Sequence, residues 1–265
     1  MRDSSNRLLD YLRISVTDRC NLRCTYCMPP EGVEKKRHDQ LLSLEDLALA
    51  ARAAASLGVR KIRLTGGEPL VRHGIVQLVS MIAAIPDITS LGMTTNGTLL
   101  APLAAELKAA GLMSINISLD TLDPERYRAL TRGGDIRQAI AGVEAAAALG
   151  FPLKLNMVVF PQTTPDEIAS MRGFADSLGA RLQRIAAYTL VDEKQDEHGM
   201  ERPPRCATCN RIRLTSDGML RPCLRSSLEV RFDPKHPEKS IREAVLAKPP
   251  CGGLCDDRTI AQIGG

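Results

Sequence analysis

Three cysteines stand close together near the amino terminus of the chain. Cys20, Cys24 and Cys27 follow a C-x3-C-x2-C spacing. Disulfide bonds need pairs of cysteines, and a structural zinc site takes four ligands. Three thiolates instead suit a [4Fe–4S] cluster that keeps one iron open to a ligand from outside the protein. A zinc site completed by a distant histidine, such as His38, is the alternative.

A second set of three cysteines lies in the last quarter of the chain. Cys206, Cys209 and Cys223 have a C-x2-C-x13-C spacing, which fits either a zinc ribbon with its fourth ligand elsewhere or a second iron–sulfur cluster. Cys251 and Cys255 complete the eight cysteines of the chain. For these two the pattern leaves three interpretations open: buried spectators, a fourth cluster ligand, or a local redox pair.

The elements that must position these residues alternate regularly over the first 190 residues. Short apolar runs alternate with Ala- and Leu-rich segments, which predicts about six βα units with parallel strands and right-handed crossovers. Six units are fewer than the eight of a closed barrel, so the predicted fold class is α/β, a partial (βα)6 TIM-like barrel. The predicted strands cover 11–16, 61–65, 90–95, 114–119, 153–159 and 182–188. The predicted helices cover 43–57, 74–84, 101–110, 136–149 and 165–178.

The alternation ends near Val191. The segment that follows is charged, contains a pair of prolines and has no periodicity, so residues 191–205 are predicted to be a linker between residues 1–190 and the rest. Residues 206–265 hold five cysteines but little hydrophobic pattern. They are predicted to form a small carboxyl-terminal domain that depends on a metal centre for stability.

Four of the predicted strands alternate apolar with polar side chains, so that one face of each strand is polar. The apolar face is expected to pack under the helices, and the polar face to line the barrel interior. Burying unpaired cations there would cost several kcal/mol each, which favours a wet lumen that binds an anionic ligand. The alternative is that some of these strands are edges that face solvent. The cations on the polar face are Arg13, Lys61, Arg63 and Lys154.

The composition is that of a soluble globular protein, with 44% hydrophobic and 25% charged residues. No segment approaches the roughly 20 consecutive apolar residues of a membrane span, and the amino terminus does not resemble a signal peptide. The sequence therefore predicts a cytoplasmic protein, in which cysteines serve metal binding or catalysis more often than disulfides. The net charge of +4 is too small to indicate nucleic-acid binding.

Polar and glycine-rich segments follow the predicted strands, at the end of a parallel barrel where active sites gather. "LTGGEPLVR" (64–72) follows the second strand, "TTNG" (94–97) the third, and Ser118 ends the fourth. Together with the first cysteine set, these segments resemble those of the radical S-adenosylmethionine (SAM) enzymes. The resemblance implies that a three-cysteine cluster binds SAM at its open iron and that a 5′-deoxyadenosyl radical is formed. The positions implied to contact this cofactor are Tyr26, Gly66, Gly67, Glu68, Thr95 and Ser118.

The second cysteine set, in "CNRIRLTSDG…RPCL", narrows the resemblance to the GTP 3′,8-cyclase family of molybdenum cofactor biosynthesis. That family is a lyase family with two [4Fe–4S] clusters, and the open iron of the second accepts the guanine ring. The resemblance implies GTP as substrate, a flavodoxin or ferredoxin as electron donor and a downstream pterin synthase; a homodimer is left open. An enzyme of the same superfamily acting on a peptide or another nucleotide is the alternative. The cations implied to bind the triphosphate are Arg13, Lys61, Arg63, Lys154, Arg184, Arg211 and Arg213.

The carboxyl-terminal residues Gly264 and Gly265 resemble the glycine tail of that family, which enters the active site. From the residues alone, a flexible terminus is an equal alternative. The chain departs from the family in two places. The stretch from about 191 to 205 is shorter than usual, and "LQRIAAYTL" replaces an acidic motif expected at the sixth strand.

Overall fold

The computed structural model describes residues 1–34, 36–191 and 205–264. The strands are β1 (Tyr11–Ser15), β2 (Lys61–Thr65), β3 (Ser90–Thr95), β4 (Ser114–Ser118), β5 (Leu153–Val159), β6 (Arg181–Ala186), β7 (Arg211–Leu214), β8 (Met219–Arg221) and β9 (Val230–Arg231). The α-helices are α1 (Leu44–Ser56), α2 (Ile75–Ala83), α3 (Ala104–Ala109), α4 (Pro124–Thr131), α5 (Ile136–Ala148), α6 (Pro165–Ser177), α7 (Pro237–Leu246) and α8 (Ile260–Ile263).

The strands form one sheet in the order β6-β5-β4-β3-β2-β1-β7-β8-β9. The first six pair in parallel, in sequence order, which confirms the predicted partial barrel. β7 pairs in parallel with β1 on its other side, and β8 and β9 continue the sheet in antiparallel pairs. The carboxyl-terminal strands therefore extend the barrel sheet itself. Of the predicted linker, residues 192–204 lie outside the described residues.

The helix ends follow local capping chemistry. The Ser43 hydroxyl accepts a hydrogen bond from the Asp46 amide at the start of α1. Thr164 and Glu167 form a reciprocal capping box before Pro165 at the start of α6. Three of the helices were not predicted from the sequence: α4, α7 and α8. Of these, α4 begins at an Asp123 cap followed by a proline. Its apolar stripe is narrow, which is why its periodicity did not stand out.

The core lies between the outward face of the sheet and the helices. Ile14, Ile62 and Leu64 are fully buried there, as the strand alternation predicts. Alanines of α1 are buried against the strands, since their small side chains allow helix and sheet to approach closely. Ile241 of α7 joins the same core. The carboxyl-terminal part, residues 206–265, was predicted to depend on a metal centre for stability. It shares the apolar core of the barrel.

No helix among the described residues has the length and apolar character that a bilayer span requires.

Candidate active site in the barrel lumen

Both cysteine sets line the same cavity. Its volume is about 270 Å³, and it lies at the end of the barrel reached by the carboxyl ends of the parallel strands. The residues of the two sets on its wall are Cys20, Cys24, Cys27, Cys206, Cys209 and Cys223. The two sets are far apart in the sequence, and the pairing of β7 with β1 brings them together. The residue spacing predicted each set separately, and the resemblance implied that both sets act on one substrate.

The first set sits in the loop that follows β1. The Cys27 amide donates to the Cys24 carbonyl at 3.0 Å, and the Leu22 amide donates to the Cys20 sulfur at 3.4 Å. Burial raises the pKa of Cys24 to about 12 and also raises the pKa values of Cys20 and Cys27. Three partly buried thiols with raised pKa values become thiolates near neutral pH when a cationic centre compensates the charge. The donor set therefore fits an iron–sulfur cluster.

Among residues 1–34, 36–191 and 205–264, no three Cys, His, Asp or Glu side chains are grouped as ligands of a single metal ion. Ligands of a four-iron cluster bind different irons, and their sulfurs need not converge so closely.

The paired glycines after β2 serve the packing of two loops. A Cβ atom on Gly67 would lie 2.4 Å from the Arg19 carbonyl oxygen, and one on Gly66 would lie 2.7 Å from that of Thr17. The Gly67 amide donates to the Thr17 carbonyl at 2.9 Å. Both glycines also line the cavity. Because these two glycines have no side chains, the loop after β2 can pack directly against the cysteine loop.

The Glu68 carboxylate is fully buried and does not line the cavity. It accepts hydrogen bonds from the Thr95 hydroxyl (2.7 Å), the Asn96 amide (2.7 Å) and the Leu70 amide (3.0 Å). The carboxylate therefore ties the loop after β3 to the loop after β2. The contact of Glu68 with SAM that the resemblance implies stays a prediction. Thr95 and Ser118 do line the cavity.

We expect Glu68 to make the stability of the metal-free protein depend on pH. Burial raises the pKa of Glu68 from 4.5 to about 7, so the folded state holds this proton more tightly than the unfolded state. Its contribution is complete below pH 4.5 and is lost as the pH rises through 7, by about 3 kcal/mol at 1.36 kcal/mol per pKa unit. Denaturant unfolding at several pH values measures this slope.

The matched variant is Glu68→Gln, which cannot ionise. Its free energy of unfolding should fall less than that of the wild type between pH 4.5 and 7. Burial also raises the pKa of Asp120, to about 6, so the variant should retain part of the slope. Equal slopes for the two proteins would contradict the expectation.

The Tyr26 side chain makes a hydrogen bond and a ring contact within the protein. Its hydroxyl donates to Asp120 at 2.7 Å, and its ring packs on Phe160 with centroids 5.6 Å apart. Asp120 also accepts from the Val158 amide at 2.8 Å. The cysteine loop is in this way fixed to the ends of β4 and β5. Sequence analysis missed Asp120, although a carboxylate directly after a strand end was a signal that could have found it.

Three of the arginines that the resemblance implies for triphosphate binding lie on the neighbouring strands β1 and β7. Arg13 of β1 lies in register with Arg213 of β7, and Arg211 is one row below. All three line the cavity. Burial, with the charges of Arg13 and Arg211, lowers the pKa of Arg213 to about 9. Such crowding of like charges is relieved by a polyanion, so this wall suits a phosphorylated ligand.

Several polar atoms on the wall point to a ligand. Within the described part of the chain, the Thr94 hydroxyl, the Asn156 carbonyl oxygen and Nε of Arg211 are buried without a hydrogen-bond partner. Lys248, which sequence analysis missed, is nearly buried at the same wall and donates to the carbonyls of Arg211 (2.8 Å) and Pro222. Unsatisfied buried polar atoms are rare, and a polar ligand would satisfy these.

The other predicted cations do not line this cavity. Arg63 is buried beneath it and donates to the Tyr11 hydroxyl and the Met93 carbonyl, both at 2.9 Å. Lys61 lies over the Tyr11 ring, 5.2 Å from its centroid. Lys154 is two positions before Asn156 on β5, so it shares the lumen-facing side of that strand.

Arg184 does not join this set. On β6 it pairs with Met157, whose side chain is buried in the outer core, while its neighbour Gln183 pairs with the lumen-facing Asn156. Partners in a parallel pair point to the same face, so Arg184 projects away from the lumen. The sequence pattern missed this because "LQRIAAY" has no clear alternation.

The carboxyl-terminal segment enters the cavity. The Gly264 carbonyl accepts hydrogen bonds from the guanidinium groups of Arg13 (3.1 Å) and Arg213 (3.5 Å). Gly264 has φ +80°, and a Cβ atom there would lie 2.4 Å from the Thr65 hydroxyl. Gly265 lies outside the described residues. The described part of the tail thus contacts two of the three arginines.

The second cysteine set is positioned by the β7–β8 hairpin. Cys209 precedes β7 and Cys223 follows β8, so the antiparallel pairing places them at the same end of the hairpin. Burial alone would raise the pKa of Cys209, but the ammonium of Lys248 and the guanidiniums of Arg211 and Arg213 bring it below its usual value. Cys255, in contrast, lies away from the cavity and contacts Asp257 and Arg221. This set also fits an iron–sulfur cluster.

Comparison with known proteins identifies the family of the chain. Residues 14–175 match the radical SAM superfamily. A GTP 3′,8-cyclase of Alkaliphilus oremlandii is 38% identical over 320 aligned positions that cover 100% of both chains. One of Geobacter sulfurreducens is 40% identical and covers 99% of both. The 320 aligned positions exceed the 265 residues of this chain, so the relatives contain segments that it lacks.

Two solved structures have a similar fold. Streptococcus suis SuiB bound to precursor peptide SuiA has a TM-score of 0.72 at 16% identity, with 92% of this chain and 66% of that chain covered. The structure of anSMEcpe with bound AdoMet has a TM-score of 0.66 at 16% identity, with 88% and 80% covered. At 16% sequence identity, these structural similarities establish the fold and nothing about function. On the sequence matches, the chain belongs to the radical SAM superfamily and, within it, to the GTP 3′,8-cyclase family.

Proposed function

We propose that this chain is the lyase that converts GTP to (8S)-3′,8-cyclo-7,8-dihydroguanosine 5′-triphosphate in molybdenum cofactor biosynthesis. The observation that carries the proposal is that both cysteine sets and three arginines line one cavity. A cavity of this kind can hold one substrate between two clusters, with its phosphates at the arginines. The relatives named GTP 3′,8-cyclase support GTP as that substrate.

Two clusters belong to the proposal. Cys20, Cys24 and Cys27 would hold the first [4Fe–4S] cluster, and the second would be held by Cys206, Cys209 and Cys223. When bound, the first cluster and SAM supply a 5′-deoxyadenosyl radical that removes a hydrogen atom from the substrate ribose. The electron donor would be a flavodoxin or ferredoxin, and a pterin synthase would take the product. The small carboxyl-terminal part, from residue 206, would be the unit that carries the second cluster.

The protein's own contribution is binding, orientation and exclusion of water. Arg13, Arg211 and Arg213 offer fixed charge-assisted hydrogen bonds to the triphosphate. The Gly264 carbonyl accepts hydrogen bonds from the guanidinium groups of Arg13 and Arg213 and so fixes their orientation before the substrate binds. Gly66, Gly67 and Thr95 line the part of the cavity beside the first cysteine set, where SAM would lie.

The test is anaerobic reconstitution with iron and sulfide, followed by SAM, dithionite and GTP that carries deuterium at C3′. We expect 5′-deoxyadenosine that contains deuterium, together with a product cyclised between C3′ and C8. ATP in place of GTP is the matched control and should give no cyclised product. Absence of SAM cleavage would contradict the radical reaction, and SAM cleavage without the cyclised product would contradict GTP as substrate.

Gly264→Ala is expected to lower the rate of product formation by about 100-fold, the cost of a displacement of about 1 Å near reacting groups. The new methyl group would collide with the Thr65 hydroxyl, so the carbonyl would leave Arg13 and Arg213. SAM cleavage without GTP should be retained, because the first cysteine set is not touched. Chromatography of both products measures the two rates.

The control is Gly179→Ala. Gly179 also has a left-handed φ, +62°, but nothing lies within 4 Å of its Cβ position. That variant should lose only the roughly 1–2 kcal/mol of left-handed strain and keep its product rate. A Gly264→Ala enzyme as active as the control would refute the role of the tail.

A further inference from the structure

Cys251 touches one of the predicted cluster ligands. Its sulfur lies 3.1 Å from the sulfur of Cys206, although the two residues are 45 positions apart in the sequence. Cys251 is exposed to solvent, and Cys206 is partly buried. The contact therefore joins a thiol that solutes can reach to a thiol on the wall of the active-site cavity.

One buried guanidinium holds the two cysteine-bearing segments together. Arg7 donates to the carbonyls of Cys206 (2.9 Å), Pro250 (2.8 Å) and Pro249 (2.6 Å). Its Nε is bound to the buried carboxylate of Asp3 at 2.7 Å, which fixes the direction of the side chain. The sulfur contact is thus imposed by a clamp from the amino terminus.

Glycine next to Cys251 completes the contact. The Gly252 amide donates to the Cys206 sulfur at 3.4 Å, and the Gly253 amide donates to the Arg225 carbonyl at 2.9 Å. A Cβ atom on Gly252 would lie only 3.0 Å from the Cys223 sulfur. The segment therefore lies flat against the second cysteine set, with no side chain between Cys251 and Cys206.

The position of Cys251 relative to the cavity distinguishes a fourth cluster ligand from a disulfide partner of Cys206. Cys206 lines the cavity together with Cys209 and Cys223, whereas Cys251 does not and is open to solvent. A fourth cluster ligand would have to reach the cavity side of Cys206. A disulfide partner needs only sulfur contact and access to an oxidant, and Cys251 has both.

We infer that Cys206 and Cys251 form a reversible disulfide in the metal-free protein. With a small disulfide such as oxidised glutathione, the Cys251 thiolate attacks one sulfur and releases one glutathione. The Cys206 thiolate then attacks the Cys251 sulfur of the mixed disulfide and releases the second. The two protein thiols lose two electrons and two protons, and oxidised glutathione takes them up to give two molecules of glutathione.

The consequence for the cluster rests on the proposed function of Cys206 as a ligand. A disulfide removes the Cys206 thiolate, so only Cys209 and Cys223 remain and the second cluster does not assemble. Reduction by a dithiol restores the site. The first cysteine set shares no residue with this pair, so its cluster is unaffected. Oxidation would thus switch off substrate binding and leave SAM cleavage in place.

The test begins with the metal-free full-length chain treated with oxidised glutathione, alkylated and digested with trypsin. Peptides 206–211 and 243–258 should be recovered as one disulfide-linked species. Cys251→Ser should abolish the link. Cys255→Ser, a change within the same peptide, and Cys209→Ser should both retain it. Glutathione on Cys206 of the wild type, without the linked species, would overturn the inference.

Iron content tests the consequence without measuring activity. A variant with Cys20, Cys24 and Cys27 all changed to alanine keeps only the second set. Prior oxidation should prevent its iron uptake, and dithiothreitol should restore it. If Cys251→Ser in this background lost iron without oxidation, Cys251 would be a ligand and the inference would fail. If the background variant bound no iron at all while the peptides still linked, the second cluster would be refuted and the disulfide upheld.

Discussion

Cys24→Ala is expected to abolish formation of 5′-deoxyadenosine from SAM. The alanine removes one of three thiols that line the cavity in the loop after β1, and no other cysteine of that set can replace it. The backbone carbonyl of residue 24 accepts hydrogen bonds from the amides of Cys27 and Met28. The substitution leaves this carbonyl in place, so the turn is retained in the variant. The loss should exceed the roughly 10- to 100-fold effect of changes that only touch a ligand's supporting partners.

The measurement is chromatography of 5′-deoxyadenosine after anaerobic reconstitution, together with iron content. Cys255→Ala is the matched control, since that cysteine is buried away from the cavity beside Asp257 and Arg221. The control should cleave SAM at the wild-type rate. Cleavage at an undiminished rate by Cys24→Ala would refute the assignment of the first set.

Cys209→Ala is expected to separate the two halves of the reaction. SAM cleavage should continue, because the first cysteine set lies on another part of the cavity wall. Formation of the cyclised product should fall below detection, since the second cluster would lose a ligand and the guanine its binding site. Iron should fall by about four atoms per chain, the content of one [4Fe–4S] cluster.

The same Cys255→Ala protein serves as control for the product measurement. Deuterium from C3′-labelled GTP gives an independent measure, because a misplaced ribose should transfer less of it to 5′-deoxyadenosine. A Cys209→Ala enzyme that still forms the cyclised product would show that the second set does not hold the substrate. The polar contacts of Lys248 with Arg211 and Pro222 would then have a purely structural meaning.

The arginines that line the cavity contact the carboxyl-terminal tail and are also the proposed binding site for the substrate phosphates. Arg13 and Arg213 are both nearly buried, and burial together with the charge of Arg13 lowers the pKa of Arg213. The Gly264 carbonyl offers them only a partial negative charge. A triphosphate carries several full negative charges, which would compensate these guanidinium groups more fully than the Gly264 carbonyl does.

Sequence alone determined the six barrel strands, five of the helices and the chemistry of each local motif. The bounds of β2 and β5 match the predicted strands, and Ser43 and Thr164 cap the helices that begin next to them. These features depend on residues within a few positions of one another, through side-chain alternation and hydrogen bonds to nearby amides. The spacing of the three cysteines and the glycine pair could also be interpreted from the sequence, because each lies within one short segment.

Tertiary structure decided which of these motifs meet. The pairing of β7 with β1 unites the two cysteine sets, and the register on β6 turns Arg184 away from the lumen. The clamp of Arg7 brings Cys251 to Cys206. Each of these depends on strand order or on contacts between residues far apart in sequence. Alternation tells which face a side chain takes, but only the packed sheet determines its neighbours across the lumen.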